Sequence, residues 1–525
     1  MTVEAVVAAI QAASEPPPAP PDDRKLAEEP RNDLGNGRRL IDRYGHDLID
    51  VAAAGWHVWN GRRWRPSVGQ HGGPGPEALR LAHDTAKMIA AEAAAITAEA
   101  PPLPAAAEDK SQAAQELRAQ HRTILAKAAA HRSFGIVSGN IGKIEGMLKA
   151  AAPYLRRTPD QLDAGPLLLN CENGTLDLGV SPPVLRPHAR GDLITHLAPV
   201  AYDPEAGCDT WRNFLARILP DPDLRLFLQT WFGYCLSALT VEQRLVLAYG
   251  TGANGKTVLM NAVAHVLGDY AATVPIETFL HQGRRGGGDA TPDLARLPGR
   301  RLVVAAEPET GARLAESMVK AATGGEAIAV RHLYENQFEF LPSFKLMISA
   351  NVKPSIRGQD EGIWRRVLLL PFNVFIPEAE RDRHLLDRLK AEAAGILNWM
   401  LDGWMVYRER GLVVPDKVLA ATELYRSESD SVREFLAGCT VLSPTGEITA
   451  KHLHRVYCAW AAANALEPLT GAAFGRRMTA LGIERRKVGV KIYVGLDLSA
   501  DGLRFLDELS SRGGAGDGSD DAGAG

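Results

Sequence analysis

Apolar and polar positions divide the middle of the chain into buried strands that alternate with helices. Residues 244–249, 302–306 and 344–351 are almost continuously apolar, which is typical of strands covered on both faces of a parallel sheet. Residues 258–268 follow the first of these strands with helical spacing and end at Gly268. The pattern predicts an α/β core over residues 241–375.

Outside this core the pattern changes to helices and hairpins. Asn60-Gly61 and Asn173-Gly174 lie between alternating apolar runs, a strong signal for tight hairpins. The predicted divisions are a disordered proline-rich lead at 1–33, a helical and hairpin region at 34–200, a helical collar at 201–240, a helical segment at 376–430, a compact α/β module at 431–497, and a tail at 498–525 that is disordered from about 513.

Composition narrows the class of protein. The net charge is −4, so any nucleic-acid surface must be local. Five scattered cysteines without a C-x-x-C pair argue against a zinc site or a disulfide framework. No apolar run approaches the length of a membrane span. We therefore expect a cytoplasmic protein with no membrane partner.

The string GTGANGKT fits the phosphate-binding pattern G-x-x-x-x-G-K-[ST] between a strand and a helix. Glycines let backbone N–H groups surround an anion, and the helix N-terminus adds positive potential there. A lysine and a hydroxyl at the end of this pattern reach the β- and γ-phosphates and Mg²⁺. The alternative is a chance match in a glycine-rich chain. The residues expected to bind nucleotide are Gly250, Thr251, Gly252, Ala253, Asn254, Gly255, Lys256 and Thr257.

Polar residues end the two later strands. Glu307 follows residues 302–306, where a carboxylate can polarise the attacking water or hold the Mg²⁺ shell. Asn351 ends the next strand and can orient that water. A surface glutamate after a core strand, and an asparagine that merely starts a turn, are the alternatives. Glu309 fits a supporting role or a plain surface position equally well.

Two basic groups lie near these strands. Arg365 and Arg366 precede another apolar strand, where an arginine can stabilise phosphoryl charge in a neighbouring subunit; the alternative is a strand cap paired with Asp360 or Glu361. A predicted hairpin at 328–340 carries basic and aromatic residues suited to gripping a nucleic-acid backbone, unless it is an ordinary solvated hairpin. These hairpin residues are Arg331, His332 and Tyr334.

Residues 447–497 read as a helix, a turn, a second helix and a small wing turned near Gly489, a layout used in DNA binding. Between Thr470 and Lys491 there are six Lys/Arg residues against one Glu. The alternative is a solvated basic face on a protein-docking module. The residues expected to contact DNA phosphates are Arg476, Arg477, Arg485, Arg486, Lys487 and Lys491.

The chain resembles the phage/plasmid primase–helicase family in the order of its motifs, which are GTGANGKT, GRRLVVAAEPE, KAATGGEAIAVRHLYENQFEF, FKLMISAN and RGQDEGIWRRVLLLPF. Members carry a superfamily 3 helicase domain within the AAA+ group, and poxvirus primase–helicases are relatives. The resemblance is strong over residues 200–375, and residues 431–497 are similar to the family's C-terminal winged-helix segment.

The resemblance implies a P-loop, AAA+ type superfamily 3 core with a helical and hairpin N-terminal region and a C-terminal winged helix. It implies a hexameric ring in a bacterial host cytoplasm that moves on single-stranded or forked DNA, using ATP and Mg²⁺, beside a separate primase or polymerase. In that frame Lys256 and Thr257 hold ATP and Mg²⁺, and Glu307 is the catalytic acid and a metal ligand. Asn351 is the sensor, and Arg365 or Arg366 acts on the neighbour's ATP.

Two features depart from the family pattern. Ala306 stands where relatives often have a polar or acidic residue before the catalytic acid. About 200 residues precede the core, without a zinc-type cysteine set or a two-metal carboxylate cluster, so we predict no primase activity.

Three functions remain open from the sequence. The leading hypothesis is a replicative DNA helicase of a phage, prophage or plasmid. The others are a ring ATPase for DNA packaging or protein remodelling, and an origin-binding factor that uses ATP to assemble. The basic hairpin and the arginine pair favour the helicase.

Overall fold

The computed structural model describes residues 21–69, 73–105, 108–281, 291–306, 312–331, 337–356, 361–464, 466 and 468–513. Within these ranges the chain is a mixed α/β protein built around one parallel sheet. No helix in the described ranges is long and apolar enough to cross a membrane.

The N-terminal region combines helices with two small sheets. Its sheets have the strand orders β3-β2-β1-β4 and β5-β6-β7. The elements are α1 (Asp23–Leu26), α2 (Asp33–Tyr44), β1 (Leu48–Val51), β2 (Gly55–Trp59), β3 (Trp64–Pro66), α3 (Pro76–Ala98), α4 (Gln112–Ser138), α5 (Ile141–Ala151), β4 (Arg156–Arg157), β5 (Leu168–Cys171), β6 (Gly174–Asp177) and β7 (Val184–Arg186).

Both predicted hairpins are present in this region. β2 pairs antiparallel with β3, and Asn60 Oδ1 accepts hydrogen bonds from the N–H groups of Arg62 and Arg63 in the turn. β5 pairs antiparallel with β6 through Cys171 and Gly174. The local hydrogen bonds of Asn60 favour chain reversal, whereas the side chain of Asn173 bonds to the backbone N–H and carbonyl of Tyr202, far away in the chain.

The prediction of disorder through residue 33 was wrong for its last part. Asp22 caps α1, and Leu26 is buried. Asp23 forms an ion pair with Arg43 at 2.6 Å. One buried apolar side chain and these polar contacts order the segment directly after the proline-rich run.

The collar and the core follow. A five-stranded parallel sheet has the order β14-β8-β13-β10-β9. The elements are α6 (Asp209–Ile218), α7 (Pro222–Cys235), β8 (Leu245–Tyr249), α8 (Lys256–Leu267), β9 (Ala271–Pro275), α9 (Pro292–Ala295), β10 (Leu302–Ala306), α10 (Glu316–Gly324), β11 (Ile328–Arg331), β12 (Gln337–Phe340), β13 (Lys345–Ala350), α11 (Glu361–Trp364), β14 (Val367–Pro371), α12 (Leu385–Ala391), α13 (Ala393–Arg410) and α14 (Asp416–Glu428).

Both faces of the sheet are buried, as the continuous apolar runs predict. Successive side chains of a strand point to opposite faces. Val246 and Ala248 join one core with the collar helices, α8 and α13, while Leu245 and Leu247 join a second core with α9 and α10. α14 covers the edge strand β14, where Thr422 Oγ1 accepts a hydrogen bond from the N–H of Leu369 at 2.9 Å.

The C-terminal module has its own apolar core and a three-stranded sheet of order β15-β17-β16. The wing turns at Gly489, which has φ +66°. The elements are α15 (Ser431–Cys439), β15 (Thr440–Thr449), α16 (Ala450–Ala463), α17 (Gly471–Ala480), β16 (Arg485–Val488), β17 (Val490–Leu498) and α18 (Ala500–Gly513).

Two details of this module differ from the expectation. Residues 447–449 end the strand β15 rather than begin a helix, because they pair with β17. α18 extends the module beyond residue 497, and Phe505 and Leu506 pack against its core. The predicted tail therefore contributes a helix before the point where disorder was expected.

Candidate active site

The phosphate-loop sequence forms a tight turn between β8 and α8. Gly252 and Gly255 have φ of +104° and +81°, which L side chains rarely adopt. A Cβ at Gly255 would lie 2.6 Å from the side chain of Ile218 in the collar. The loop therefore requires glycine both for its backbone conformation and for its close packing.

Lys256 is buried at the start of α8, and its ammonium group points back into the loop. Its Nζ donates to the carbonyl oxygen of Gly250 (2.6 Å), to Asn254 Oδ1 (3.0 Å) and to Asn351 Oδ1 (3.1 Å). Asn351 follows β13, which lies beside β8 in the parallel sheet. The carboxyl ends of adjacent strands thus bring together two predicted site residues that are far apart in sequence.

The loop offers donors and a hydroxyl that would suit a nucleoside triphosphate with Mg²⁺. Thr257 is exposed in the first turn of α8, and among the described residues no side chain caps that turn. N–H groups at an uncapped helix start and an adjacent ammonium are the donors that phosphate oxygens need. Thr257 would supply a hydroxyl ligand to the metal. Thr251 and Ala253 are exposed beside it.

Several predicted residues lie outside the described ranges, namely Glu307, Glu309, His332, Tyr334 and Asp360. β10 ends at Ala306, which pairs with Ser349 of β13. The strand that precedes Glu307 thus ends beside the strand that precedes Asn351. Arg331 ends β11, is half-buried, and its N–H donates to Thr291 Oγ1 at 3.0 Å.

The two consecutive arginines occupy different environments. Arg365 is exposed at the end of α11, and its Nη2 is 3.4 Å from Gln243 Oε1. Arg366 is buried, and its guanidinium donates to the carbonyl oxygen of Gly362. Only an exposed guanidinium can reach a neighbouring subunit, so the geometry favours Arg365 over Arg366 for a role in trans.

Sequence reasoning missed the contribution of α14 to this site. Lys353 Nζ lies 2.6 Å from Glu428 Oε2 and 4.9 Å from the ring centre of Tyr249, the residue before the phosphate loop. The hydroxyl of Tyr425 donates to the carbonyl oxygen of Pro354. These contacts hold the segment after Asn351 against α14.

α14 also contacts the segment that carries Arg365. Arg426 forms an ion pair with Glu361 at 2.6 Å, and the rings of Tyr425 and Trp364 meet edge to face at 5.2 Å between centres. One helix therefore contacts both the Asn351 side and the Arg365 side of the site. Nothing in the sequence spacing of residues 416–428 indicates this, because the partners come from the tertiary fold.

The amino end of the same sheet carries two buried cations that sequence reasoning also missed. Arg301 donates to the carbonyl oxygens of Leu168 and Leu236, and its guanidinium lies 4.3 Å from the ring centre of Tyr270. Lys345 Nζ donates to carbonyl oxygens of Ser237, Leu239 (3.3 Å) and Ser343 (3.4 Å). Burial lowers the pKa of Lys345 to about 7.

Most of the predicted DNA-contacting residues of the C-terminal module are either ion-paired or at a pocket, while Lys487 is exposed on β16 opposite Lys491. Arg477 is held by Asp430, with Nε 3.0 Å from Oδ2, and Arg486 forms an ion pair with Glu447. An open pocket of about 620 Å³ lies between α16, α17 and the wing. The predicted DNA-contacting residues that line the pocket are Arg476, Arg485 and Lys491.

Two family profiles match the chain. Residues 37–220 match the family described as D5 N terminal like. Residues 248–366 match a family of unknown function, DUF5906. The first covers the N-terminal region and the first half of the collar, through α6, and the second covers the phosphate loop through Arg366.

Viral proteins are similar to the chain over about half its length. It is 30% identical over 296 residues to "Putative helicase L207/L206" of Acanthamoeba polyphaga mimivirus, an alignment that covers 52% of this chain and 30% of that protein. It is 27% identical over 325 residues to "Putative primase C962R" of African swine fever virus (isolate Pig/Kenya/KEN-50/1950). This alignment covers 57% of this chain and 33% of that protein. The chain thus spans about a third of the length of these relatives.

Among solved structures, the apo C-terminal region of NrS-1 aligns at 14% identity and a TM-score of 0.38, covering 57% of this chain and 78% of that one. A TM-score that low carries no argument about the fold. The sequence matches are to a D5 N terminal like family and to viral proteins named helicase or primase, which agrees with the resemblance to primase–helicases that the order of the motifs indicates.

Proposed function

We propose that the chain is an ATP-dependent replicative DNA helicase of a phage, prophage or plasmid, acting as a hexameric ring on single-stranded DNA. The observation that carries the proposal is the 3.1 Å contact between Lys256 Nζ and Asn351 Oδ1 at the carboxyl edge of the parallel sheet. A phosphate-loop lysine beside a strand-end amide is the arrangement needed to hold a γ-phosphate and a water that attacks it.

Each residue of the site has a proposed role. Lys256 and the loop N–H groups hold the β- and γ-phosphates, and Asn351 orients the attacking water. Glu307 would accept the proton of that water, and Glu307 and Thr257 would hold Mg²⁺, which would neutralise phosphate charge. Arg365 stabilises the charge that develops on the γ-phosphoryl group in the neighbouring subunit.

The strand order supports a superfamily 3 ATPase core of the AAA+ group. β8, which leads into the phosphate loop, lies between β14, which follows the arginine pair, and β13, which leads to Asn351. Polar groups that follow adjacent parallel strands share one crevice, so a nucleotide bound there would contact all of them. The proposal assigns ATP and Mg²⁺ to that crevice.

DNA contacts in the proposal come from two places. The hairpin of β11 and β12, with Arg331 at its end and His332 and Tyr334 beyond, would contact the strand inside the ring. The C-terminal module has the helix, strand, two-helix and two-strand order of a winged helix, and it would contact DNA outside the ring. A separate primase or polymerase would act on the strands that the ring separates.

The test is ATP hydrolysis by the purified chain with and without single-stranded DNA, together with strand displacement on a forked duplex. The proposal expects turnover that rises with single strands and displacement that needs ATP. Lys256→Ala should lose both activities. Turnover that ignores DNA, with no displacement, would favour a ring ATPase for packaging or origin assembly instead.

A further inference from the structure

The pocket in the C-terminal module is lined by cations from four different elements. Lys451 comes from α16, Arg476 from α17, Arg485 from β16 and Lys491 from β17. Among the described residues that line the pocket none is acidic, and none of these four cations forms an ion pair with a described residue. Lys451 was not among the residues that the sequence suggested.

The wing places like charges directly opposite each other. Lys487 of β16 pairs across the ladder with Lys491 of β17, and Arg485 pairs with Tyr493. Side chains two residues apart share a face of a strand, so Arg485, Lys487 and Lys491 lie on one face. Like charges opposite each other destabilise a hairpin, and a bound anion would remove that cost.

On the opposite face of the wing, the basic side chain is paired with a carboxylate. Arg486 lies between Arg485 and Lys487 in sequence, so it points away from them, and it forms an ion pair with Glu447. Arg477 of α17 is likewise engaged by Asp430. Of the cations on the first face of the wing, Arg485 and Lys491 line the pocket, while the ion-paired Arg477 and Arg486 do not.

The shape of the pocket indicates what it receives. The part of α17 that lines the pocket consists of three small residues, Gly471, Ala472 and Gly475, together with Arg476 and Thr479. A helix that reads bases presents long polar side chains to base edges in the major groove, whereas three of the five α17 residues at the pocket are Gly or Ala. A concavity lined by cations accepts a projecting anionic ridge, and the sugar–phosphate backbone is such a ridge of a DNA strand.

We infer that this pocket binds the phosphodiester backbone of a DNA strand and does not read its bases. The inference deepens the DNA-binding part of the proposed function, because it names the moiety that the module recognises and adds Lys451 to the site. It also predicts that the module binds without sequence preference, which an origin-specific factor would not do.

Binding of labelled single-stranded and duplex oligonucleotides of two unrelated sequences, followed by fluorescence anisotropy over a salt series, tests the inference. Experiments use the whole chain without nucleotide. Lys451→Ala, Arg485→Ala and Lys491→Ala should each weaken binding several-fold and equally for both sequences. Each should lower the slope of log K against log salt by about 1.

Arg486→Ala is the matched control, because it removes the same charge from the neighbouring position of the same strand, on the opposite face. It should leave affinity and salt slope close to wild type, and melting temperatures should show that every variant is folded. Equal losses for Arg485→Ala and Arg486→Ala, a loss confined to one sequence, or unchanged binding in all three pocket variants would overturn the inference.

ATP hydrolysis without DNA separates this test from the proposed function. The pocket variants should keep the wild-type basal rate, because α16, α17 and β17 pack in a different apolar core from β8 and α8. A wild-type chain that binds DNA through the pocket but hydrolyses no ATP would overturn the proposed function and leave the pocket inference standing.

Discussion

The two ends of the parallel sheet both carry buried basic side chains, but the acceptors around those side chains differ. At the carboxyl end, Lys256 contacts a loop carbonyl and the side-chain amides of Asn254 and Asn351. At the amino end, Arg301 and Lys345 donate to backbone carbonyls of the collar and of neighbouring segments.

On the proposed function, this difference distinguishes Lys256, which would bind phosphate, from Lys345, which stabilises the fold. Side-chain amides and a glycine-rich loop can rearrange when an anion arrives, and Asn351 is exposed at the crevice. The carbonyls around Arg301 and Lys345 belong to packed backbone and would lose a buried partner if the cation left. We therefore expect substitutions at the carboxyl end to change turnover and those at the amino end to change stability.

The largest effect should come from Lys256→Ala. Losing a cation that acts on the transferring phosphoryl group should lower ATP turnover by roughly 100- to 1,000-fold. Steady-state hydrolysis measures this, with Lys417→Ala, an exposed lysine on α14, as the control that keeps wild-type turnover. Near-normal turnover in Lys256→Ala would remove the phosphate loop from the mechanism.

The two consecutive arginines should show the same contrast between turnover and stability within one segment. Arg365→Ala should lower turnover by about 1,000-fold with little change in melting temperature, because its side chain is exposed. Arg366→Ala should lower the melting temperature, because a buried guanidinium is lost.

Mixing two inactive variants tests whether Arg365 acts in trans. Arg365→Ala subunits keep an intact phosphate loop, and Lys256→Ala subunits keep an intact Arg365. A mixture should regain part of the wild-type turnover if one subunit completes the site of its neighbour. No recovery in mixed oligomers of confirmed composition would contradict a shared site.

At the amino end, Arg301→Met should destabilise the chain while sparing the chemistry. The substitution leaves the carbonyls of Leu168 and Leu236 without their buried donor, at a cost of about 2–4 kcal/mol. Chemical denaturation should show this loss, and turnover per folded molecule should stay near wild type. A large fall in turnover without a change in stability would show that Arg301 acts in the chemistry and not in the fold.

Lys345 should make stability depend on pH. Its pKa falls from 10.5 to about 7 on folding because of burial, so between these values the unfolded chain binds a proton that the folded chain does not. The free energy of unfolding should therefore rise with pH above about 7, by up to about 1.4 kcal/mol per unit. Unfolding curves from about pH 7 to about pH 9 should show this rise in the wild type but not in Lys345→Met. Parallel slopes would contradict it.

The smallest effect should come from Glu428→Gln, which weakens the contact between α14 and Lys353. Such a partly exposed pair contributes about 0.5 kcal/mol, so melting should change little. Turnover should fall several-fold if α14 positions the segment after Asn351. Glu423→Gln, on the same helix, should leave turnover unchanged. Identical rates for the two variants would remove α14 from the site.

How much the sequence could predict depends on the range of the interaction. The phosphate loop, the buried strands and both asparagine turns follow from local spacing, and the structure brings Lys256 and Asn351 together as parallel strands require. α1 was missed because a single buried residue, Leu26, orders a short polar segment. α18 was missed because Phe505 and Leu506 pack against a core formed by distant segments. The contacts of Lys353, Arg301 and Lys451 depend on segments far away in the chain, so no local pattern could reveal them.

The central claim is that the carboxyl end of the sheet binds nucleotide and the amino end stabilises the fold. Its most direct test is the melting temperature with and without Mg²⁺ and ATP in three proteins: the wild type, Lys256→Ala and Lys345→Met. A ligand that binds only the folded state raises its stability by mass action. We predict that nucleotide raises the melting temperature of the wild type and of Lys345→Met, which starts from a different baseline, but not that of Lys256→Ala. An equal shift in Lys256→Ala, or a shift lost only in Lys345→Met, would contradict the account.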